Sequence, residues 1–186
     1  MSMDNLYVAL IHFPVINRKG EPIGSALTTI DMHDIARASK TFGVKGFYVV
    51  TPFSDQAELA QQVIAHWTKG VGGELNPSRK KALELIRVKA TFEEAIQEIQ
   101  EERNQPVVTV ATSAKTLEDA ISTTELKQKL ESNGSHVIVF GTAWGLAEEL
   151  ISGCDLKLKS ITGPGAYNHL SVRSAVSIYL DRITNG

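Results

Sequence analysis

Short continuous apolar runs alternate along this chain with stretches whose apolar positions recur every three to four residues. The runs predict strands near Leu6–His12, Gly46–Val50, Leu85–Lys89, Pro106–Ala111, His136–Phe140 and Leu156–Ile161. Most lack polar alternation, as strands covered on both faces do. After the second run, Leu59, Ala60, Val63, Ile64 and Trp67 fall on one face of a helix. Thr91-Phe92-Glu93-Glu94 reads as a capping box, opening a helix that turns Phe92, Ala95, Ile96 and Ile99 inward. The cleanest stripe is the last: Val172, Ala175, Val176, Tyr179, Leu180 and Ile183. Strands alternating with helices predict an α/β fold, a mostly parallel sheet of about six strands covered by helices on both faces. No internal repeat, low-complexity segment or linker interrupts the pattern, so residues 1–186 read as one domain.

Two segments stand apart. In Asp31-Met32-His33-Asp34-Ile35-Ala36-Arg37, Asp31 fits a helix N-cap with Asp34 in the first turn. Ile35, Ala38 and Phe42 form the buried stripe of that helix, Arg37 points outward, and Gly43 follows its end. The second segment, Lys69 to Lys81, carries three glycines and Asn76-Pro77, and is expected to be an exposed, mobile loop. Its basic end, Arg79-Lys80-Lys81, at the start of a possible helix, is either solvated surface or a lip that touches phosphates. His66-Trp67, just before it, reads as a pair capping the core.

Composition narrows the classes. At 42% hydrophobic and 22% charged residues the chain is an ordinary globular protein. A formal charge of −2 gives no global attraction to nucleic acid, so any RNA contact needs a local basic patch. A lone cysteine, Cys154, excludes an internal disulfide and suits a reducing cytoplasm. No apolar run approaches a membrane span, and the N-terminal residues do not resemble a signal peptide. The five histidines show no HxxxH or HxH spacing, so no metal site is expected.

The candidate chemistry lies near the C-terminal end. The run ending at Phe140 stops at Gly141-Thr142-Ala143-Trp144-Gly145-Leu146. The run ending at Ile161 stops at Gly163-Pro164-Gly165, followed by Tyr167-Asn168-His169-Leu170-Ser171 at the start of the last helix. Glycine loops at the C-terminal ends of strands are where an α/β sheet holds a ligand, and glycine lets backbone groups approach a flat heterocycle.

These motifs resemble the SPOUT class of RNA methyltransferases, the α/β-knot enzymes. Arg37 falls on the arginine of the first motif of the ribose 2′-O branch, and Phe42-Gly43-Val44 matches its end. Asp31 and His33 replace that motif's Asn and Gly, Thr142-Ala143 replaces an Asn-Glu pair, and Ser171 replaces the third motif's Asn. Over nearly its full length the chain looks like a bacterial family labelled tRNA (guanine-N1) methyltransferase C-terminal-domain, or RNA methyltransferase-like. The shared segments are Asp-x-His-Asp-Ile-Ala-Arg, His-Trp…Gly-x-Gly…Asn-Pro-x-Arg, Phe-Gly-Thr-x-Trp-Gly-Leu and Tyr-Asn-His-Leu-Ser-Val-Arg-Ser-Ala.

The resemblance implies a C-terminal trefoil knot and S-adenosylmethionine as cofactor. The cofactor is expected against Phe140, Gly141, Thr142, Trp144, Gly145 and Leu146 on one loop. Ile161, Gly163, Tyr167, Asn168, His169, Leu170 and Ser171 form the second wall, and Ala111, Thr112 and Ser113 the third. Arg37 would orient an RNA phosphate or activate a hydroxyl, and Asp31 or Asp34 would be the base for a guanine nitrogen. Arg79, Lys80 and Lys81 would contact RNA, tRNA more than rRNA. The class also implies a homodimer through the last helix, although that helix's stripe would equally cover its own sheet. Two readings stay open: an S-adenosylmethionine-dependent RNA methyltransferase, and a knotted module that binds the cofactor and assists a partner. A nucleotide-binding protein of unrelated chemistry is disfavoured, because no GxGxxG or GxxxxGK[ST] follows the first strand.

Overall fold

The computed structural model describes residues 3–131 and 134–186. Its first strand, β1 (Leu6–Ile11), is buried at every position. Next come a small antiparallel hairpin, β2 (Val15–Ile16) with β3 (Pro22–Ile23), and then α1 (Thr29–Thr41). β4 (Gly46–Val50), α2 (Ser54–Thr68), α3 (Val71–Leu75), α4 (Pro77–Leu83) and β5 (Ile86–Lys89) follow. The remainder is α5 (Phe92–Arg103), β6 (Val107–Ala111), α6 (Thr123–Leu130), β7 (Ser135–Gly141), α7 (Glu148–Gly153), β8 (Leu156–Lys157) and α8 (Val172–Asn185).

Six strands form one parallel sheet in the order β5-β4-β1-β7-β6-β8. β1 and β7 are central, and their registers pair Leu6 with His136 through Ile11 with Gly141. Along β1 the side chains alternate between two cores. Leu6, Val8 and Leu10 join the core under α1, α2, α4, α6 and α8, while Tyr7, Ala9 and Ile11 join the one under α5 and α7. Burial on both faces explains the unbroken apolar runs.

The expected strands are present, though the last is shorter than its apolar run: β8 ends at Lys157, with a single further bridge from Leu158 to Ile121. The hairpin β2–β3, α6 and α7 were not among the expected elements. On α2, Leu59 is exposed, and Ala60 carries the deepest burial.

The largest correction concerns the glycine-bearing part of residues 69–81, expected as a loop and found as α3, while the possible helix at Arg79 is α4 and starts two residues earlier at Pro77. Gly72 and Gly73 are buried because the chain folds back against α2. A Cβ on Gly72 would stand 2.8 Å from the His66 ring, and one on Gly73 would stand 2.3 Å from the Trp67 carbonyl oxygen. Asn76 then caps α4, its side chain accepting from the Arg79 N–H at 3.0 Å, with Pro77 at the first helical position. Both residue types break helices mid-run, and here they start one.

The capping box of α5 is shifted at one end. Thr91 Oγ1 accepts from the Glu94 N–H, and the Glu94 side chain reaches back to Ala90 N–H. α8 lays Val176, Tyr179, Leu180 and Ile183 into its own core. Its stripe is thus accounted for within the chain.

Candidate functional site

The strand order reverses around β1 and β7, and the chain leaves β1, β6 and β7 at their C-terminal ends to surround a cavity of about 550 Å³. Ligand crevices in open α/β sheets lie at such a switch point, and the volume suits a small organic ligand.

The first wall is the turn after β7. Gly145 N–H donates to the Thr142 carbonyl at 2.9 Å, closing a tight turn with Ala143 at φ +52 and Gly145 at φ +113. Gly141 lies where any Cβ would come within 2.5 Å of Leu146 N, whereas the corresponding position on Gly145 has nothing within 4 Å and faces open space. The hairpin clasps this turn. Ile16 N–H donates to Gly145 O at 2.9 Å, and Trp144 N–H donates to Ile16 O at 3.1 Å.

Beneath the turn runs a chain of hydroxyls. Thr142 Oγ1 donates to Ile11 O at 3.1 Å and makes a short hydrogen bond with Ser25 Oγ, which in turn meets His12 Nδ1 at 3.0 Å. Ser25 Oγ also reaches His12 O at 3.4 Å, so the three side chains and the Ile11 and His12 carbonyls form one hydrogen-bonded group. Burial pushes His12 down to about 4, against an opposing pull from Asp31, so the ring is neutral.

The second wall runs from Ile161 to Ser171, where Asn168 Nδ2 donates to Ala114 O at 2.9 Å and Ser171 caps α8. The third follows β6, where Thr112 Oγ1 donates to Val139 O at 2.8 Å. Trp144 and His169 face each other across the mouth, with ring centroids 5.8 Å apart.

Most of the expected cofactor residues line this cavity: Thr112, Ser113, Phe140 and Gly141, then Thr142, Trp144 and Gly145, with Ile161, Asn168, His169, Leu170 and Ser171 opposite. Four do not. Ala111 and Leu146 are buried in the core behind it, and Gly163 and Tyr167 are exposed outside it. The cavity also takes in residues outside the expected set, notably Ser25, Thr28, Lys115, Arg173 and Tyr179. Arg173 was visible in the sequence as part of the last motif, but its partner, 142 residues away, was not.

Asp31 lies in the cavity wall, but it is not the N-cap that its sequence position suggested. Thr28 holds that position in extended conformation, and Asp31 sits inside the first turn, accepting a short hydrogen bond from Thr28 Oγ1. Arg173 Nη1 donates to Asp31 at 3.1 Å, and Arg173 Nε lies 3.5 Å from Asp34. On the other side of Asp34, Arg37 lies 3.8 Å away with its side chain 59% exposed. Arg37 lines a different cavity, together with Arg79. Lys80 is half-buried and Lys81 exposed on α4.

The fold is that of known methyltransferases. A probable methyltransferase from Bordetella pertussis Tohama I superposes with a TM-score of 0.64 at 19% identity, covering 98% of this chain and 95% of that one. The SpoU methyltransferase AviRb from Streptomyces viridochromogenes, solved with AdoMet, gives 0.58 at 18% identity, over 99% of this chain and 58% of that one. Residues 5–185 match the family described as SAM-dependent RNA methyltransferase, and the chain belongs to that family. Its cofactor is S-adenosylmethionine. A tRNA (guanine-N(1)-)-methyltransferase of Oleidesulfovibrio alaskensis is 41% identical over 96% of this chain, which spans only 42% of that relative. An uncharacterized protein of Aquifex aeolicus is 35% identical over 98% of this chain and 90% of its own length.

Proposed function

We propose that this chain transfers a methyl group from S-adenosylmethionine to a tRNA, at a guanine nitrogen or a ribose hydroxyl. The observation that carries this reading is the cavity where three loops meet over the ends of β1, β6 and β7, with the Asp31–Arg173 pair in its wall. Its shape suits the cofactor: the space beside Gly145 admits a flat ring, and Phe140, Ile161 and Leu170 offer apolar surface. The turn from Gly141 to Gly145 and the segment from Ile161 to Leu170 would hold the adenosine through their backbone groups. The sulfonium supplies an already activated methyl, so the protein's work is to place the acceptor and take its proton. Asp31, with Asp34 beside it, is the base, and Arg173 holds the Asp31 carboxylate towards the cavity. Arg37, outside the cavity, acts on the RNA chain.

The same reading threads the C-terminal third as a trefoil knot, supported by the contact of Asn168 with Ala114. It also makes the protein a homodimer. α8 spends its apolar stripe on its own core, so the partner must use other surface, and Tyr167 (82% exposed), on the segment that leads into α8, is apolar surface outside the cavity. A cytoplasmic location belongs to this reading; among the described residues no helix is long and apolar enough to cross a membrane.

Incubation with radiolabelled S-adenosylmethionine and tRNA from a strain lacking the protein tests the function. Label in one nucleotide supports it. Tight cofactor binding with no transfer favours the alternative, a cofactor-binding module assisting a partner, for which the placement of Arg37 outside the cavity is the specific support.

A further inference from the structure

A second cavity, of about 370 Å³, opens between the C-terminal half of α1 and the start of α4. Arg37, Lys40 and Arg79 line it, and Thr41, Asn76 and Ser78 add hydroxyl and amide groups. No carboxylate contributes to its wall. The one nearby counter-charge is Asp34, 3.8 Å from Arg37; among the described residues no carboxylate comes within 4.0 Å of Lys40 or Arg79. In a protein of net charge −2, this concentration of positive charge is local and runs against the average.

Arg79 is held in place before any ligand arrives. Its guanidinium lies 4.7 Å over the Trp67 ring, and the His33 and His66 rings abut that indole edge-on at 5.4 and 5.2 Å. Burial, and then the Arg79 charge, push His33 below its ordinary value. Arg79 Nε is shielded from solvent and has no hydrogen-bond partner among the described residues. The guanidinium carries further N–H donors, and Arg79 lines the cavity, so an acceptor-rich ligand suits it there. A phosphodiester carries a single negative charge and accepts hydrogen bonds without donating any.

We infer that this cavity is a subsite for one backbone phosphodiester of the RNA substrate, gripped by Lys40 and Arg79 with Arg37 at the rim. The inference rests on the proposed RNA methyltransferase function. α1 connects the two sites: Asp31 borders the first cavity, and Arg37 to Thr41 border the second. At 1.5 Å per residue their separation along the axis is roughly 9–15 Å, within reach of a single RNA segment. A phosphate held here fixes the register in which the acceptor nucleotide meets the first cavity. It also gives α3 and α4 a purpose: they carry Arg79 to α1.

Binding of unmodified tRNA, followed by fluorescence anisotropy across a salt series, tests the subsite with Lys40→Ala, Arg79→Ala and Arg79→Lys. Lys40 is exposed, so its variant keeps the fold. Each alanine variant should weaken binding about fivefold or more at low salt and reduce the slope of log K against log salt by about one. Arg79→Lys should keep the slope but lose part of the affinity, because the stacked planar fork is gone. Cofactor affinity, read separately by calorimetry, should not change. Unchanged RNA affinity and slope in Lys40→Ala overturns the subsite. So does inorganic phosphate binding that Lys40→Ala abolishes while RNA affinity stays intact, which would mark a site for free phosphate. If the wild type shows the slope dependence but transfers no methyl, the proposed function fails and the subsite stands.

Discussion

Arg173, in the first turn of α8, donates to the Asp31 carboxylate at 3.1 Å and so joins the last helix to the first across the wall of the cavity over β1, β6 and β7. Asp31 is 9% exposed, and besides Arg173 its carboxylate takes the hydroxyl of Thr28. Replacing Arg173 with alanine leaves a buried carboxylate with a single donor, at a cost of about 1–3 kcal/mol. The melting temperature should fall by several degrees, since each kcal/mol is worth about 2–4 °C in a domain this size. Methyl transfer should fall with it. Arg173→Lys should recover part of the stability. An unchanged melting curve in Arg173→Ala would show that water replaces the arginine without loss.

The two glycines of the turn after β7 should separate ligand space from chain packing. Gly145→Val places its side chain in open cavity, so cofactor affinity should drop at least tenfold by calorimetry. Its φ of +113 adds backbone strain, which should cost about 1 kcal/mol or more of stability. Gly141→Ala instead drives a methyl into Leu146 N, and should destabilise the protein more than it affects any ligand. Full cofactor affinity in Gly145→Val would place the ligand elsewhere.

Stability should fall on mild acidification, before most carboxylates titrate. The folded-state value of His12 is about 4 against an ordinary 6.5, so the unfolded chain takes the proton first as pH falls. Its contribution is complete above about pH 6.5 and is lost towards pH 4, on the order of 3 kcal/mol in all. Burial lowers His33 and His136 too, which adds loss of the same sign. Glu98 and Glu102, held low by contacts with Lys89, Tyr48 and Arg87, give up their contribution only below about 4.5. Melts between pH 7 and 5 therefore read the histidines. His12→Asn should flatten that slope, and a slope equal to that of the wild type would assign it to other groups.

Light scattering at micromolar concentration should give twice the 20.3 kDa chain mass, from an interface of about 1,000 Å² or more. Tyr167→Ser should shift the mass towards the monomer. A wild-type monomer would overturn the proposed homodimer.

The sheet was legible because its signal is local: each strand is a short apolar run, and burial on both faces removes the alternation that would blur it. The loops that line the main cavity were legible for a similar reason, since glycine after a strand is a mark within a few residues. What escaped depended on partners far along the chain. Nothing near Asp31 announces that Thr28 takes the cap while Asp31 turns to Arg173. The segment from Lys69 to Lys81 misled because its glycines read as freedom; Gly72 and Gly73 are there because only hydrogen fits against His66 and Trp67. Arg37 was correctly turned outward, but the outward direction leads to a cavity shared with Arg79.

The central pairing of β1 with β7 has a temporal consequence. Leu6 meets His136 only after some 130 intervening residues have been made and ordered, and contacts of such long sequence separation form slowly. Until then one edge of β1 lacks its neighbour, and the Ile11 carbonyl has no Thr142 hydroxyl to accept a hydrogen bond from. Growing from one end, the chain can assemble β1, α1, β4 and β5, including the cleft with Arg37 and Arg79, well before the loops around Gly145 exist. The cleft proposed for the RNA backbone would be ready first, and the cavity over β1, β6 and β7 would close last.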